Sequence, residues 1–199
     1  SPHRPQIASR VPGMELETTY VDVPIGDATM RTLVAAPANE NQYPGIVFYS
    51  DIFQLTPSTT RWVKRLASYG FVVAAPEIYY RIEPAGTVLE FDDEGKTRGQ
   101  ADVDALTAAQ FDEDIAGTLE WLGGYSRVTP GPLGVAGHCT GGHIGFRAAL
   151  SPAVAATALW YPTGLQNGKL GADADAGSLD RASAISGELL MIFGARDPH

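Results

Sequence analysis

The stretch PLGVAGHCTGGHIGF, residues 132–146, joins a short apolar run to a helical pattern through a turn rich in glycine. The apolar run is typical of a strand buried on both faces of a sheet. The turn contains Cys139, the single cysteine of the 199 residues. A free cysteine is more often a small buried hydrophobe than a functional group. A strand that turns sharply into a helix, however, is where many α/β enzymes expose a nucleophile, so the stretch predicts a reactive thiol.

Such a turn is so tight that the positions two before and two after the nucleophile can hardly carry side chains. Gly137 and Gly141 occupy these positions. The following helix N-terminus favours the thiolate form of Cys139. We predict an oxyanion hole formed by the backbone N–H of Thr140 and by that of Ile52, in the loop after an earlier strand.

Alternating strands and helices flank this turn. Short apolar runs predict buried strands at 44–50, 71–76, 132–137, 153–162 and 187–194, and helical patterns occupy 56–70, 107–124 and the residues from the glycines to 150. Two β-rich segments, 15–23 and 30–37, precede them, whereas 90–104 is a polar segment and 165–180 is interpreted as loop. The pattern predicts a doubly wound, mostly parallel α/β sheet with an antiparallel N-terminal edge.

Composition narrows the class of protein further. The formal net charge of −9 argues against nucleic acid or an anionic membrane as a partner. No apolar run approaches the roughly 20 residues of a membrane helix, and a single cysteine allows no internal disulfide, so we expect a cytoplasmic protein. Residues 14–199 are expected to form one domain, monomeric or in a small homo-oligomer, with residues 1–13 a tail or an expression remnant. No nucleotide motif and no metal-ligand pattern is recognised, so no cofactor and no metal is expected.

A nucleophile of this type needs an acid and a base that follow it in the chain. Asp197 comes directly after the last predicted strand, where α/β sheets place catalytic groups, although a capping role in the turn is the alternative. No histidine is well placed as the base: His138 points away from its neighbour, His143 lies one helical turn further, His3 is in the tail, and His199 is too close to the acid. The base is expected about 30 residues beyond the acid, so the chain is expected to be truncated at its C-terminus.

These residues resemble the dienelactone hydrolase, or carboxymethylenebutenolidase, family of α/β-hydrolases. The resemblance is carried by GHCTGG at 137–142, GARDPH at 194–199, SDIFQ at 50–54 and PEIYYR at 76–81. It implies the α/β-hydrolase fold, with the family's last strand and helix missing here.

The resemblance also implies roles for individual side chains. Asp51 stands where the family has a glutamate that contacts the catalytic thiol, and Gln54 stands where it has glycine. Arg81 corresponds to an arginine that binds the substrate carboxylate, with a surface ion pair as the alternative. Trp160 and Tyr161 are expected near the substrate pocket, where Trp160 is bulkier than the family's tyrosine.

The chemistry of a thiol nucleophile narrows the substrate. A thiolate leaves more readily than an alkoxide, so an adduct on Cys139 goes forward only when the other leaving group is good. The sequence therefore predicts a hydrolase of small-molecule lactones or activated esters that acts through a thioester. Two alternatives remain open: a binding protein of the same fold that lacks a base, and a thioesterase or peptidase.

Overall fold

The computed structural model describes residues 13–197. The expected tail therefore lies almost wholly outside the described residues, as do His3 and His199. The strands are β1 Leu16–Ile25, β2 Ala28–Pro37, β3 Gly45–Tyr49, β4 Val72–Pro76, β5 Leu133–His138, β6 Val154–Trp160 and β7 Glu188–Ile192. The helices are α1 Pro57–Ala67, α2 Asp93–Asp104, α3 Ala108–Gly124 and α4 Thr140–Ala148, with a 3₁₀ helix at Leu179–Ala184.

The strands of the described residues form one seven-stranded sheet in the order β1-β2-β4-β3-β5-β6-β7. Strand β1 pairs antiparallel with β2, and β2 pairs antiparallel with β4. All later pairs are parallel. The predicted mostly parallel sheet with an antiparallel N-terminal edge is therefore confirmed. Its order places the carboxyl end of β5, where Cys139 lies, between those of β3 and β6.

Helices cover both faces of the sheet, as the doubly wound prediction requires. Helix α1 packs on one face against a core that includes Phe48 and Val73, while α3 and α4 pack on the other with Phe111 and Ile144. Helix α1 is capped by Thr56, whose side chain accepts a hydrogen bond from the Thr59 N–H. None of the helices within residues 13–197 is long and apolar enough to cross a bilayer.

Helix α2 occupies most of the polar segment 90–104, for which the sequence predicted no element. Its residues are polar on nearly every side, so hydrophobic periodicity gives no signal. The helix is instead capped by Asp92, whose side chain accepts from the Gly95 N–H. Its Gly99 lies so close to the loop after β3 that a Cβ there would be 2.5 Å from the Ile52 carbonyl oxygen. Helix α2 therefore forms the support of that loop.

Candidate active site

Cys139 adopts the strained backbone of a nucleophile elbow, with φ at +57°. The glycines around it are sterically required, because a Cβ on Gly137 would lie 2.4 Å from the Gly141 carbonyl oxygen. A Cβ on Gly141 would lie 2.2 Å from the Ser50 carbonyl oxygen, and one on Gly142 would lie 2.7 Å from Pro162 Cα. All three contacts are with backbone atoms, which cannot move aside. The elbow is thus pressed between the ends of β3 and β6.

Backbone hydrogen bonds hold this strained residue in place. The Cys139 N–H donates to the Trp160 carbonyl oxygen at 3.1 Å. The Cys139 carbonyl oxygen accepts from the N–H groups of Gly142, His143 and Thr163, at 2.9, 3.3 and 3.1 Å. Left-handed backbone in a residue with a side chain persists only where the surroundings fix it, and such sites cluster where function needs them.

The thiol of Cys139 is partly buried and faces one nearby charge. Burial raises the pKa of the thiol above its ordinary value, and the negative charge of Asp51 raises it further. Hydrogen bonds to sulfur from the Thr140 N–H and from the hydroxyls of Thr140 and Thr163 act in the opposite direction. Since the net direction is upward, the resting thiol is mostly protonated at neutral pH.

The loop after β3 fixes the orientation of the predicted second oxyanion donor. The Asp51 carbonyl oxygen accepts from the Gln54 N–H at 3.3 Å and from the Ser50 hydroxyl at 3.1 Å. Because a trans peptide is planar, the Ile52 N–H points opposite to that carbonyl. The Ile52 carbonyl oxygen in turn lies 3.0 Å from the buried Tyr79 hydroxyl. The peptide that carries the Ile52 N–H and the peptide that follows it are therefore both held by hydrogen bonds.

Two neighbouring cavities open at this edge of the sheet. The main cavity, of about 770 Å³, contains Cys139, Thr140 and Ile52 in its lining. The side cavity, of about 660 Å³, is lined by His138, Trp160 and several apolar residues. Four residues line both cavities: Asp51, Phe53, Phe91 and Tyr161.

Tyr161 and Asp51 form the boundary between the two cavities. Tyr161 has φ at +38°, and its N–H donates to the Ile192 carbonyl oxygen at 2.7 Å. Its hydroxyl lies 3.3 Å from His138 Nδ1, and Asp51 Oδ2 lies 3.6 Å from the same nitrogen. Burial lowers the pKa of His138, and the Asp51 carboxylate acts in the opposite direction. His138 lines the side cavity and is not in the lining of the main cavity.

Asp197 lies in an exposed turn after β7, where its N–H donates to the Gly194 carbonyl oxygen at 3.1 Å. Burial raises the pKa of Tyr161, and negative charge on Cys139, Asp51 and Asp197 raises it further. The structure thus brings these three groups to the same end of the sheet, around Tyr161. His143 does not join them, because it is fully buried beneath the elbow.

Known proteins resemble this chain in sequence over most of its length. The profile of the dienelactone hydrolase family matches residues 30–199. The chain belongs to that family. A Saccharomyces cerevisiae protein named "Putative carboxymethylenebutenolidase" is 31 % identical over 194 residues, which covers 94 % of this chain and 71 % of the relative. A Synechocystis protein of the same name is 29 % identical over 184 residues, which covers 92 % of this chain and 74 % of that relative.

The solved structures agree on the fold. The crystal structure of a dienelactone hydrolase-like promiscuous phosphotriesterase from metagenomic libraries has a TM-score of 0.70 at 20 % identity, covering 92 % of this chain and 70 % of that one. The predicted family resemblance and α/β-hydrolase fold are confirmed. As a dienelactone hydrolase family member, the chain is a hydrolase of the ester and lactone type.

Arg81, at the position of the family's substrate-binding arginine, has acidic side chains as its partners. Arg81 Nη2 lies 2.7 Å from Asp114 Oδ1 and 2.8 Å from Glu113 Oε2, both on α3. Asp114 is further held by the Tyr80 hydroxyl at 2.6 Å. Among the described residues that line the two cavities, Arg81 does not occur. The geometry favours the ion-pair interpretation of Arg81 over substrate binding.

Gln54, which stands where the family has glycine, keeps a backbone conformation that favours glycine. Gln54 is buried and has φ at +64°, a backbone region that favours glycine. Its side chain accepts from the Tyr79 N–H at 3.1 Å and donates to the Thr87 carbonyl oxygen at 2.8 Å. These bonds tie the loop after β3 to two further segments.

Sequence reasoning missed the other residues around the thiol. Thr163, Lys96 and Lys169 line the main cavity with Cys139, and all three lie in segments without periodicity. Only the turn chemistry around Pro162 and Gly164 marks the Thr163 segment in the sequence. Within residues 13–197, no group of three or more His, Cys, Asp or Glu side chains is arranged to hold a metal ion.

Proposed function

We propose that this family member hydrolyses lactones or activated esters through a thioester on Cys139. The observation that carries the proposal is the strained Cys139 elbow, whose sulfur contacts the Thr140 N–H at the wall of the main cavity. The thiolate would attack the substrate carbonyl, and the Ile52 and Thr140 N–H groups would stabilise the oxyanion. The C–O bond then breaks, the alcohol or enol leaves with a proton, and water releases the acid and restores the thiol.

The resting thiol needs a base, since its pKa is raised. We assign Asp197 as the acid that orients this base. Neither described histidine suits the role, because His143 is hydrogen-bonded on both ring nitrogens and His138 lines the other cavity. Asp51 is proposed to hold the thiol protonated until substrate binds.

The charges around the main cavity suggest its substrates. Four acidic side chains line it, namely Asp51, Asp92, Asp93 and Asp104, against Lys96 and Lys169. Lys169 Nζ lies 3.2 Å from Asp104 Oδ1, and Arg81 is paired elsewhere. An acidic wall repels a carboxylate, so uncharged lactones and esters are the proposed substrates. Tyr161 and Trp160 are proposed to contact their apolar parts, and the single cysteine supports a cytoplasmic location.

The test combines turnover with intact mass. Cys139→Ala is expected to lose turnover of 4-nitrophenyl butyrate, and the wild-type mass is expected to show one acyl adduct during the reaction. Full activity in Cys139→Ala would disprove the nucleophile. Acylation without turnover would favour the binding-protein alternative, and a preference for thioesters or peptides would favour the other. Equal kcat/KM for 4-nitrophenyl butyrate and 4-nitrophenyl hemisuccinate would contradict the charge argument.

A further inference from the structure

A series of hydrogen-bonded polar side chains, buried except for Asp112 at its outer end, lies beneath the elbow and has no part in the proposed reaction. Arg147 forms a two-pronged ion pair with Asp112, with Nε to Oδ1 at 2.8 Å and Nη2 to Oδ2 at 2.6 Å. Arg147 Nη1 donates to the Ser178 hydroxyl oxygen at 2.9 Å. Ser178 Oγ lies 2.7 Å from His143 Nε2, and His143 Nδ1 lies 2.8 Å from the Thr163 carbonyl oxygen.

The positions of the hydrogen atoms in this hydrogen-bonded series follow from the groups at its two ends. The Thr163 carbonyl can only accept, so His143 Nδ1 carries the proton and donates it. His143 Nε2 is then an acceptor and takes the Ser178 hydroxyl proton, while Ser178 Oγ accepts from Arg147. Burial lowers the pKa of His143 to about 4, the bond to Thr163 opposes this, and the Arg147 cation lowers it further. The imidazole is therefore neutral at neutral pH, in one fixed tautomer.

This series of hydrogen-bonded side chains ends on Thr163, the residue that contacts the nucleophile Cys139. Thr163 donates its N–H to the Cys139 carbonyl oxygen at 3.1 Å, and its hydroxyl hydrogen-bonds to the sulfur. Thr163 belongs to a connection without regular structure, between β6 and the 3₁₀ helix. His143 and Ser178 are 0 % and 1 % exposed, so water cannot replace these bonds.

We propose that His143 is a positioning residue for Cys139: anchored through Ser178 on Arg147 and Asp112, it holds the Thr163 carbonyl and so keeps the Thr163 hydroxyl on the sulfur. The inference rests on the proposed nucleophilic role of Cys139. It adds that side-chain hydrogen bonds lock the cavity wall to the elbow helix α4, beside the single backbone bond from the Thr163 N–H to Cys139.

The test uses a matched pair of variants and the alkylation of the thiol by iodoacetamide as a function of pH. Cys139 is the only cysteine of these 199 residues, so its labelling can be followed by peptide mass. In His143→Asn the amide nitrogen lies near the place of Nδ1 and can still donate to Thr163. In His143→Gln the amide lies near the place of Nε2, so the bond to Thr163 is lost. We expect the alkylation midpoint to rise by about one pH unit for Gln, and by clearly less for Asn, which keeps the donor to Thr163 but loses the bond to Ser178.

Thr163→Val provides the reference, because it removes only the hydroxyl that contacts the sulfur. If His143 acts through that hydroxyl, the double variant His143→Gln, Thr163→Val will have the same midpoint as Thr163→Val alone. Additive shifts would overturn the proposal. A purely structural role would lower the unfolding temperature of both His143 variants and leave both midpoints unchanged, which would also overturn it.

Alkylation does not require turnover, so this result is independent of whether the protein hydrolyses any ester. If a His143 variant does not fold, Ser178→Ala carries the test. It frees Nε2 to take the proton, so His143 no longer has to donate to Thr163, and the midpoint is expected to rise by a smaller amount. An unchanged midpoint in folded Ser178→Ala would refute the proposal.

Discussion

Replacing Gln54 by glycine changes the free energy of unfolding in two opposite ways. It relieves strain in the backbone of the loop after β3, and it removes the hydrogen bonds of the side chain. Glycine removes the strain of the left-handed backbone at φ +64°, which is about 1–2 kcal/mol. Part of that gain is lost, because glycine has more freedom in the unfolded chain, by about 0.5–1 kcal/mol. Taken alone, the backbone therefore favours Gln54→Gly slightly.

The side chain decides the outcome in the other direction. Without it, the buried Tyr79 N–H loses its acceptor at 3.1 Å, a cost of about 1–3 kcal/mol. The Thr87 carbonyl, which is less buried, loses its donor at 2.8 Å and about 1 kcal/mol. Two buried methylene groups are lost as well, at about 0.8 kcal/mol each. We expect Gln54→Gly to lower the free energy of unfolding by about 3–5 kcal/mol.

Urea denaturation measures this difference, and Gln54→Ala is its control. Alanine loses the same hydrogen bonds and keeps the strained backbone, but it also keeps one buried carbon and avoids the flexibility of glycine, so the two variants should be about equally stable. Glycine at wild-type stability would refute the reasoning, since the amide bonds would then contribute nothing. An alanine variant more stable than the glycine variant by about 1.5 kcal/mol would refute the strain argument, because these are the two terms that strain has to offset.

Three further predictions concern the site. Burial is the main cause of the raised thiol pKa, and Asp51→Asn removes the negative charge that adds to it, so the alkylation midpoint of Cys139 should fall, whereas Asp104→Asn, whose carboxylate is paired with Lys169, should leave it in place. Gly141→Ala sets a Cβ 2.2 Å from a backbone oxygen and should abolish cooperative thermal unfolding or thiol labelling, whereas Gly123→Ala, which meets open space, should preserve both. His143 has a folded pKa of about 4 against 6.5 in the unfolded chain, so the unfolded state binds the extra proton between these values. Stability should fall by up to about 3 kcal/mol as the pH drops from 6.5 to 4, and His143→Asn should reduce that fall in urea titrations.

The fold was predictable from the sequence because its signals are local. The apolar runs of β3, β5 and β6 and the glycines around Cys139 each carry their own structural requirement, so the parallel sheet and the elbow follow from short windows. Helix α2 was not predicted, because the signal that positions it is not local. Its position depends on Gly99 fitting against Ile52, a contact between residues 47 positions apart that no periodicity encodes.

The site was predictable only in part. Arg81 satisfies a sequence motif, yet its partners Glu113 and Asp114 come from a helix whose approach the motif does not contain. Thr163 and Ser178 lie in irregular segments, and both are hydrogen-bonded to His143 on the elbow helix. Charge pairing and buried hydrogen bonds depend on the folded arrangement, so sequence windows cannot supply them.

The pairing of β3 with β5 also has a consequence for the order of folding. Ile46 lies opposite Gly134, so these strands meet only after a loop of nearly ninety residues closes. The β1–β2 hairpin, by contrast, joins neighbouring segments and can form early. The backbone hydrogen bonds that hold Cys139 at +57° from outside its own helix come from Trp160 and Thr163, and they exist only once β5 and β6 are assembled. During refolding, the change in thiol reactivity should therefore be among the slowest phases, later than the gain of most secondary structure.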